Sequence, residues 1–179
     1  GSTSVHASRD CGHTAAVPFF LQAMPDTPAD IEREMLILLS SRVSDAALRI
    51  EAAQSMPEFV HAAQDVDALV VLLHDSGQRI ERIAHLIGSL NRRLFARLWS
   101  LVAPPELVAN SCLFVMGSEG RGEQIQKTDQ DNALLLRDGF ECADLHTITA
   151  RFNGGVAALG WPPCPGNIML TNPLWCAPV

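Results

Sequence analysis

Cys112-Leu113-Phe114-Val115-Met116 runs directly into Gly117-Ser118-Glu119-Gly120-Arg121-Gly122-Glu123-Gln124, and Thr128-Asp129-Gln130-Asp131 then leads into Asn132-Ala133-Leu134-Leu135-Leu136. A continuous apolar run that stops at a glycine is the mark of a buried strand, and the second run, ending near Asp138-Gly139, reads the same way. Between them, Gly117, Gly120 and Gly122 let the backbone turn sharply and expose successive N–H groups, a nest suited to an anion. Ser118 adds a hydroxyl donor and Arg121 a planar fork that fits phosphate oxygens. The loop is not a Walker A loop, because no Gly-Lys-Ser/Thr follows, and it is not G-x-G-x-x-G.

Asp129 and Asp131 stand two residues apart at the head of a strand, where side chains i and i+2 share a face. Both carboxylates therefore address one divalent cation, Mg²⁺ or Mn²⁺, which prefers one or two carboxylates together with phosphate oxygens and water. A phosphate cradle ending one strand and a carboxylate pair on the next is the wiring needed for metal-assisted nucleotidyl transfer from an NTP. Glu123 and Gln124 either orient the loop or cap a short helix after it. Thr128 either fixes the Asp129 carboxylate or makes a plain turn contact.

Upstream of this segment the period is helical. Thr27 is an N-cap candidate, Pro28 suits a first turn, and Ile31, Met35, Leu38, Leu39, Val43, Ala46, Ile50 and Ala53 form one apolar stripe. Pro57 opens a second helix with Phe59, Ala62, Val66, Leu69 and Leu73 on one face, ended by the turn Asp75-Ser76-Gly77. A third carries Ile80, Ile83, Ile87, Leu90, Leu94, Leu98 and Leu101 and stops at Pro104-Pro105. Its other face holds Arg79, Arg82, Arg92, Arg93 and Arg97, either a solvated face or a docking surface, and the helical stripes allow a homodimer.

Downstream, Leu145, Ile148, Phe152, Val156 and Leu159 give a helix closing at Gly160, with Gly154-Gly155 as a break or a place of close packing. Cys164-Pro165-Gly166 reads as a rigid turn delivering a strand over Asn167–Thr171. The order is α-α-α-β-β-α-β, an α+β chain with a helical region over 27–105 and a small α/β core over 106–179. Residues 1–26 read as an irregular arm, Gly1-Ser2 as a tag remnant, and the apolar stretch Ala15–Met24, broken by Pro18 and Gln22, as a linker.

Composition sets the outer bounds. Of 179 residues, 47% are hydrophobic and 18% charged, enough apolar material for a core. Thirteen basic against 20 acidic residues give a net charge of −7, which argues against a general nucleic-acid binder. No apolar run reaches the ~18–20 residues of a membrane span. The cysteines, Cys11, Cys112, Cys142, Cys164 and Cys176, have neither C-x-x-C nor zinc-finger spacing and read as free thiols in a cytoplasmic, soluble protein.

Gly117-Ser118, a spacer and Asp129-x-Asp131 resemble the signature of the polymerase-β-type nucleotidyltransferase superfamily. The longer strings, GSEGRGEQ with TDQDNALLL and Leu159–Met169, resemble a narrower group: the nucleotidyltransferase domains of bacterial signalling proteins carrying CBS or cyclic-nucleotide-binding domains, relatives of PII-protein uridylyltransferases. The resemblance runs from about Met56 to Trp175. It implies NTP contacts at Gly117, Ser118 and Arg121, Mg²⁺ on Asp129 and Asp131 as the catalytic carboxylates, and a protein hydroxyl as acceptor. It also implies a third carboxylate from a later strand, yet Leu145 to Val179 contain no Asp or Glu. The expectation is therefore a chain truncated before that strand. Two classes of function stand: a nucleotidyltransferase, or a catalytically inactive nucleotide-sensing or protein-interaction module.

Overall fold

The computed structural model describes residues 27–178; the arm, the Ala15–Met24 linker and Cys11 lie outside them. The chain divides into two compact units, 1–35 and 36–179, with the division inside the first helix, α1 (Pro28–Ala52). In the first unit the Thr27 hydroxyl accepts the Asp30 N–H at 3.2 Å and donates to the Asp30 carboxylate at 2.6 Å, so Thr27 caps the helix as its sequence position predicts.

In the second unit, α1 ends with Leu39, Ala46, Ile50 and Ala53 buried, whereas Leu38 is 66% exposed. The predicted stripe is thus buried on a narrower face than its apolar content suggests. The second helix, α2 (Met56–Asp75), starts where the Glu58 carboxylate accepts the N–H groups of Gln54 and Ser55 at 2.7 and 3.1 Å. Those bonds hold Glu58 below its usual carboxylate pKa. Phe59, Ala62, Val66, Leu69 and Leu73 are all buried, as their spacing requires. After the turn at Ser76-Gly77 the third helix, α3 (Ile80–Val102), packs back on α2 through Ile83, Ile87, Leu90, Leu94 and Leu98. Of its arginines, Arg97 donates to the Ala53 carbonyl at 3.1 Å and Arg93 lies 3.6 Å from Glu51.

Pro105 opens a short helix, α4 (Pro105–Ala109), which the pattern did not announce, and which delivers β1 (Ser111–Val115). β2 (Asn132–Leu136) lies between β1, antiparallel to it, and β3 (Cys176–Pro178), parallel to it. Two expectations need correction here. β1 is an edge strand, not a buried one: Cys112 and Phe114 are exposed on its outer face, and only β2 pairs with it. The third strand is Cys176–Pro178 and not Asn167–Thr171, because a turn from Cys164 to Asn167 puts Asn167 at φ 54°, a left-handed conformation incompatible with a strand. The displaced segment still runs beside β2, since the Asn132 N–H donates to the Ile168 carbonyl at 3.0 Å.

After β1 comes one helical turn, α5 (Gly117–Gly120), and the long helix after β2, α6 (Leu145–Ala158), is continuous through Gly154-Gly155. A Cβ at Gly155 would sit 3.0 Å from the Leu98 side chain, so the glycine allows α3 and α6 to approach closely. Edge-to-face pairs Trp99–Phe152 (5.5 Å) and Phe95–Trp161 (4.8 Å) close the same junction. Among the described residues no helix is long and apolar enough to cross a membrane, and the four described cysteines are free.

Candidate metal and nucleotide site

The glycine loop starts at the end of β1 with one turn of helix, α5 (Gly117–Gly120), and continues without further helix until the backbone turns extended before β2. No helix follows Glu123 and Gln124, so the capping alternative for them falls. Gln124 is buried and orients the loop: its amide donates to the Thr128 hydroxyl at 2.6 Å and accepts the Trp161 indole N–H at 3.4 Å. The Thr128 hydroxyl is thereby a turn contact.

Two further tethers hold the loop to the helices. Lys127 Nζ lies 2.6 Å from the Asp67 carboxylate on α2 and 4.8 Å from the Trp161 ring centroid. Glu119, in α5, is buried against α3, where Asn91 Nδ2 donates to its Oε2 at 3.1 Å. Burial raises the Glu119 pKa to about 6, with Asn91 and the nearby Arg92 opposing the rise.

Asp129 and Asp131 precede β2 on an extended segment whose intervening residue, Gln130, bridges to Pro163. The odd residues face the site and the even ones face inward. Gln130 Nε2 donates to the carbonyls of Asn153 and Trp161 at 3.3 and 3.2 Å. Asn153 Nδ2 donates to Gln130 Oε1 at 2.7 Å and to Asn132 Oδ1 at 2.9 Å, and Asn132 Oδ1 also accepts Leu170 N–H at 3.0 Å. Three buried amides thus fasten the aspartate-bearing segment to α6 and to the 161–170 loop. The even positions carried a usable signal: if Asp129 and Asp131 face solvent, Gln130 faces the interior and must find partners there. Asn153, within the α6 pattern, and Lys127 carried none.

Gly117 meets the pair directly. It has φ 61°, and a Cβ there would collide with Asp131 Oδ2, so only glycine lets the loop backbone lie against that carboxylate. Ser118 is half-buried in α5, with its carbonyl accepting Glu123 N–H at 3.1 Å. Arg121, at the end of α5, is exposed and donates from Nε to Glu123 at 2.8 Å.

A third ligand-type group joins the aspartates: ligating atoms of Asp129, Asp131 and Cys164 all lie within 4.8 Å of one another. The reading of Cys164 as part of a turn holds for its backbone, since Asn167 N–H bonds its carbonyl at 2.9 Å, but it omitted the thiol. The Asp131 carboxylate beside the thiol, together with burial, pushes its pKa up. Asp131 Oδ1 is buried with no hydrogen-bond partner, a state that costs roughly 1–3 kcal/mol or more when nothing binds it. An orphaned carboxylate oxygen beside a second carboxylate fits a divalent cation. Residues 64–179 match the family model described as "Putative nucleotidyltransferase DUF294". No curated protein and no solved structure matches the chain.

Proposed function

From a chain that belongs to the putative nucleotidyltransferase DUF294 family, we propose an enzyme domain that moves a nucleoside monophosphate from an NTP to a hydroxyl, with a signalling protein as acceptor. The observation that carries this reading is the approach of the glycine loop to the carboxylate pair: Gly117 backbone against Asp131, with Asp131 Oδ1 left unpartnered. Asp129 and Asp131 would hold the cation, Mg²⁺ or Mn²⁺, which when bound neutralises triphosphate charge and favours in-line displacement at the α-phosphorus. The N–H groups of the loop at Gly117 and Ser118 bind phosphate oxygens, and Arg121 adds its fork once it leaves Glu123. The buried amides of Gln130, Asn132 and Asn153 keep the two carboxylates in place before substrate arrives, so little ordering remains for binding.

One observation favours a second reading. The third ligand-type group beside the pair is the Cys164 thiol and not a carboxylate able to take the proton of an attacking hydroxyl. On that reading the domain binds Mg–NTP as a sensor without turnover. Calorimetric titration with ATP and UTP, with and without Mg²⁺, tests the site common to both. Binding is expected only with Mg²⁺, and Asp129→Asn or Asp131→Asn should remove it. Unchanged affinity in both variants overturns the assignment, and transfer of labelled nucleotide to any acceptor overturns the sensor reading.

A further inference from the structure

We propose that Cys164 is a third ligand of the cation held by Asp129 and Asp131, so that the centre is a mixed carboxylate–thiolate site preferring thiophilic divalent cations to Mg²⁺. This rests on the reading of the two aspartates as metal ligands. The three ligating atoms fall within 4.8 Å of one another, the reach of one cation with bonds of roughly 2.0–2.4 Å. The backbone enforces the meeting. Gln130 bridges to Pro163 and donates its N–H to the Pro162 carbonyl at 2.9 Å, which sets Cys164 beside Asp131. The tight turn to Asn167 then fixes the cysteine from its other side. Cys164 is 8% exposed, and its Sγ lies within 4.8 Å of ligating oxygens of both aspartates.

With a cation bound, the thiol would give its proton to solvent, and the electron pair left on sulfur would form the metal bond. A thiolate selects Zn²⁺, Co²⁺ or Cd²⁺ over the hard Mg²⁺, which keeps oxygen ligands.

The test titrates the whole chain with Co²⁺ alone and follows the near-ultraviolet sulfur-to-cobalt charge-transfer band. The band is expected in the native chain, and it should vanish in Cys164→Ser and in Asp131→Asn, the latter keeping every cysteine. Cys164→Ser should still take up Mn²⁺, read by the loss of the free-ion electron paramagnetic resonance signal, while its Cd²⁺ affinity falls about tenfold or more. If Cys164→Ser does not fold, ¹¹³Cd resonance of the native chain decides: a shift in the sulfur-ligated range supports the proposal and an all-oxygen shift overturns it. Co²⁺ uptake without the band, or a band that survives Cys164→Ser, overturns it while leaving the carboxylate site standing. No uptake of Co²⁺ or Mn²⁺ overturns both.

Discussion

Replacing Gly117 with alanine separates backbone strain from damage to the site. The residue has φ 61°, where an L side chain costs about 1–2 kcal/mol. In a chain of this size that lowers Tm by roughly 2–8 °C. The added Cβ would also collide with Asp131 Oδ2, while standing 3.3 Å from Asp131 Cγ and 3.5 Å from its Cβ. Only the carboxylate oxygen is in hard conflict, so the cheapest relief is rotation of that carboxylate away from the loop. Gly77→Ala supplies the comparison: φ is 74° and the new Cβ meets nothing within 4 Å. Both variants should lose similar thermal stability by scanning fluorimetry. Only Gly117→Ala should lose Mg²⁺-dependent ATP binding by calorimetry. Native affinity in Gly117→Ala, or an equal loss of binding in Gly77→Ala, refutes the placement of the glycine against a ligand.

Glu119 titrates in the folded protein at about 6 rather than 4.5, so the folded state holds its proton more tightly than the unfolded chain. Its contribution is therefore favourable below pH 4.5 and is lost as pH rises through 6, a change of at most about 2 kcal/mol. Glu119→Gln keeps an acceptor for Asn91 without the charge, and should flatten this window in urea melts at pH 4.5 and 7; an unaltered pH profile would refute it. Asn153→Ala strips Gln130 Oε1 and Asn132 Oδ1 of their shortest side-chain donor and should cost about 2–3 kcal/mol, measured by urea denaturation, with a loss under about 0.5 kcal/mol as the contrary result. Lys127→Met removes the Asp67 ion pair and the cation over Trp161, for an expected loss of about 1 kcal/mol that shrinks in high salt. A loss independent of salt would refute the assignment to the ion pair.

The helices were legible because their apolar spacing is a local property. Phe59, Ala62, Val66, Leu69 and Leu73 of α2 can be read from their own chain neighbours, and so can Ile148, Phe152 and Val156 in α6. The strands were less so. Cys112 and Phe114 have the same apolar character as Leu134 and Leu136, yet the register sets them on the opposite face of the sheet, where they are exposed. The third strand depended on a single backbone angle at Asn167, which no hydropathy pattern records. In the site, the spacing of Asp129 and Asp131 could be read along the chain, whereas Cys164 lies 33 positions beyond Asp131 and joins it through tertiary links such as the bridge from Gln130 to Pro163.

The choice of uncharged amides to anchor the aspartate segment has an electrostatic consequence. Gln130, Asn132 and Asn153 hydrogen-bond one another, the Leu170 N–H and the Asn153 and Trp161 carbonyl groups without bringing a formal charge next to the carboxylates. A buried arginine in their place would supply more hydrogen bonds, but it would also neutralise the pair and compete with any cation. Lys127, two positions before Asp129, pairs with Asp67 and stands over Trp161, and Arg121 of the glycine loop pairs with Glu123. Among the described residues no ion pair involves Asp129 or Asp131. The fold therefore fixes these carboxylates mechanically while leaving their negative charge uncompensated, and a mobile cation is the partner that such a charge attracts most strongly.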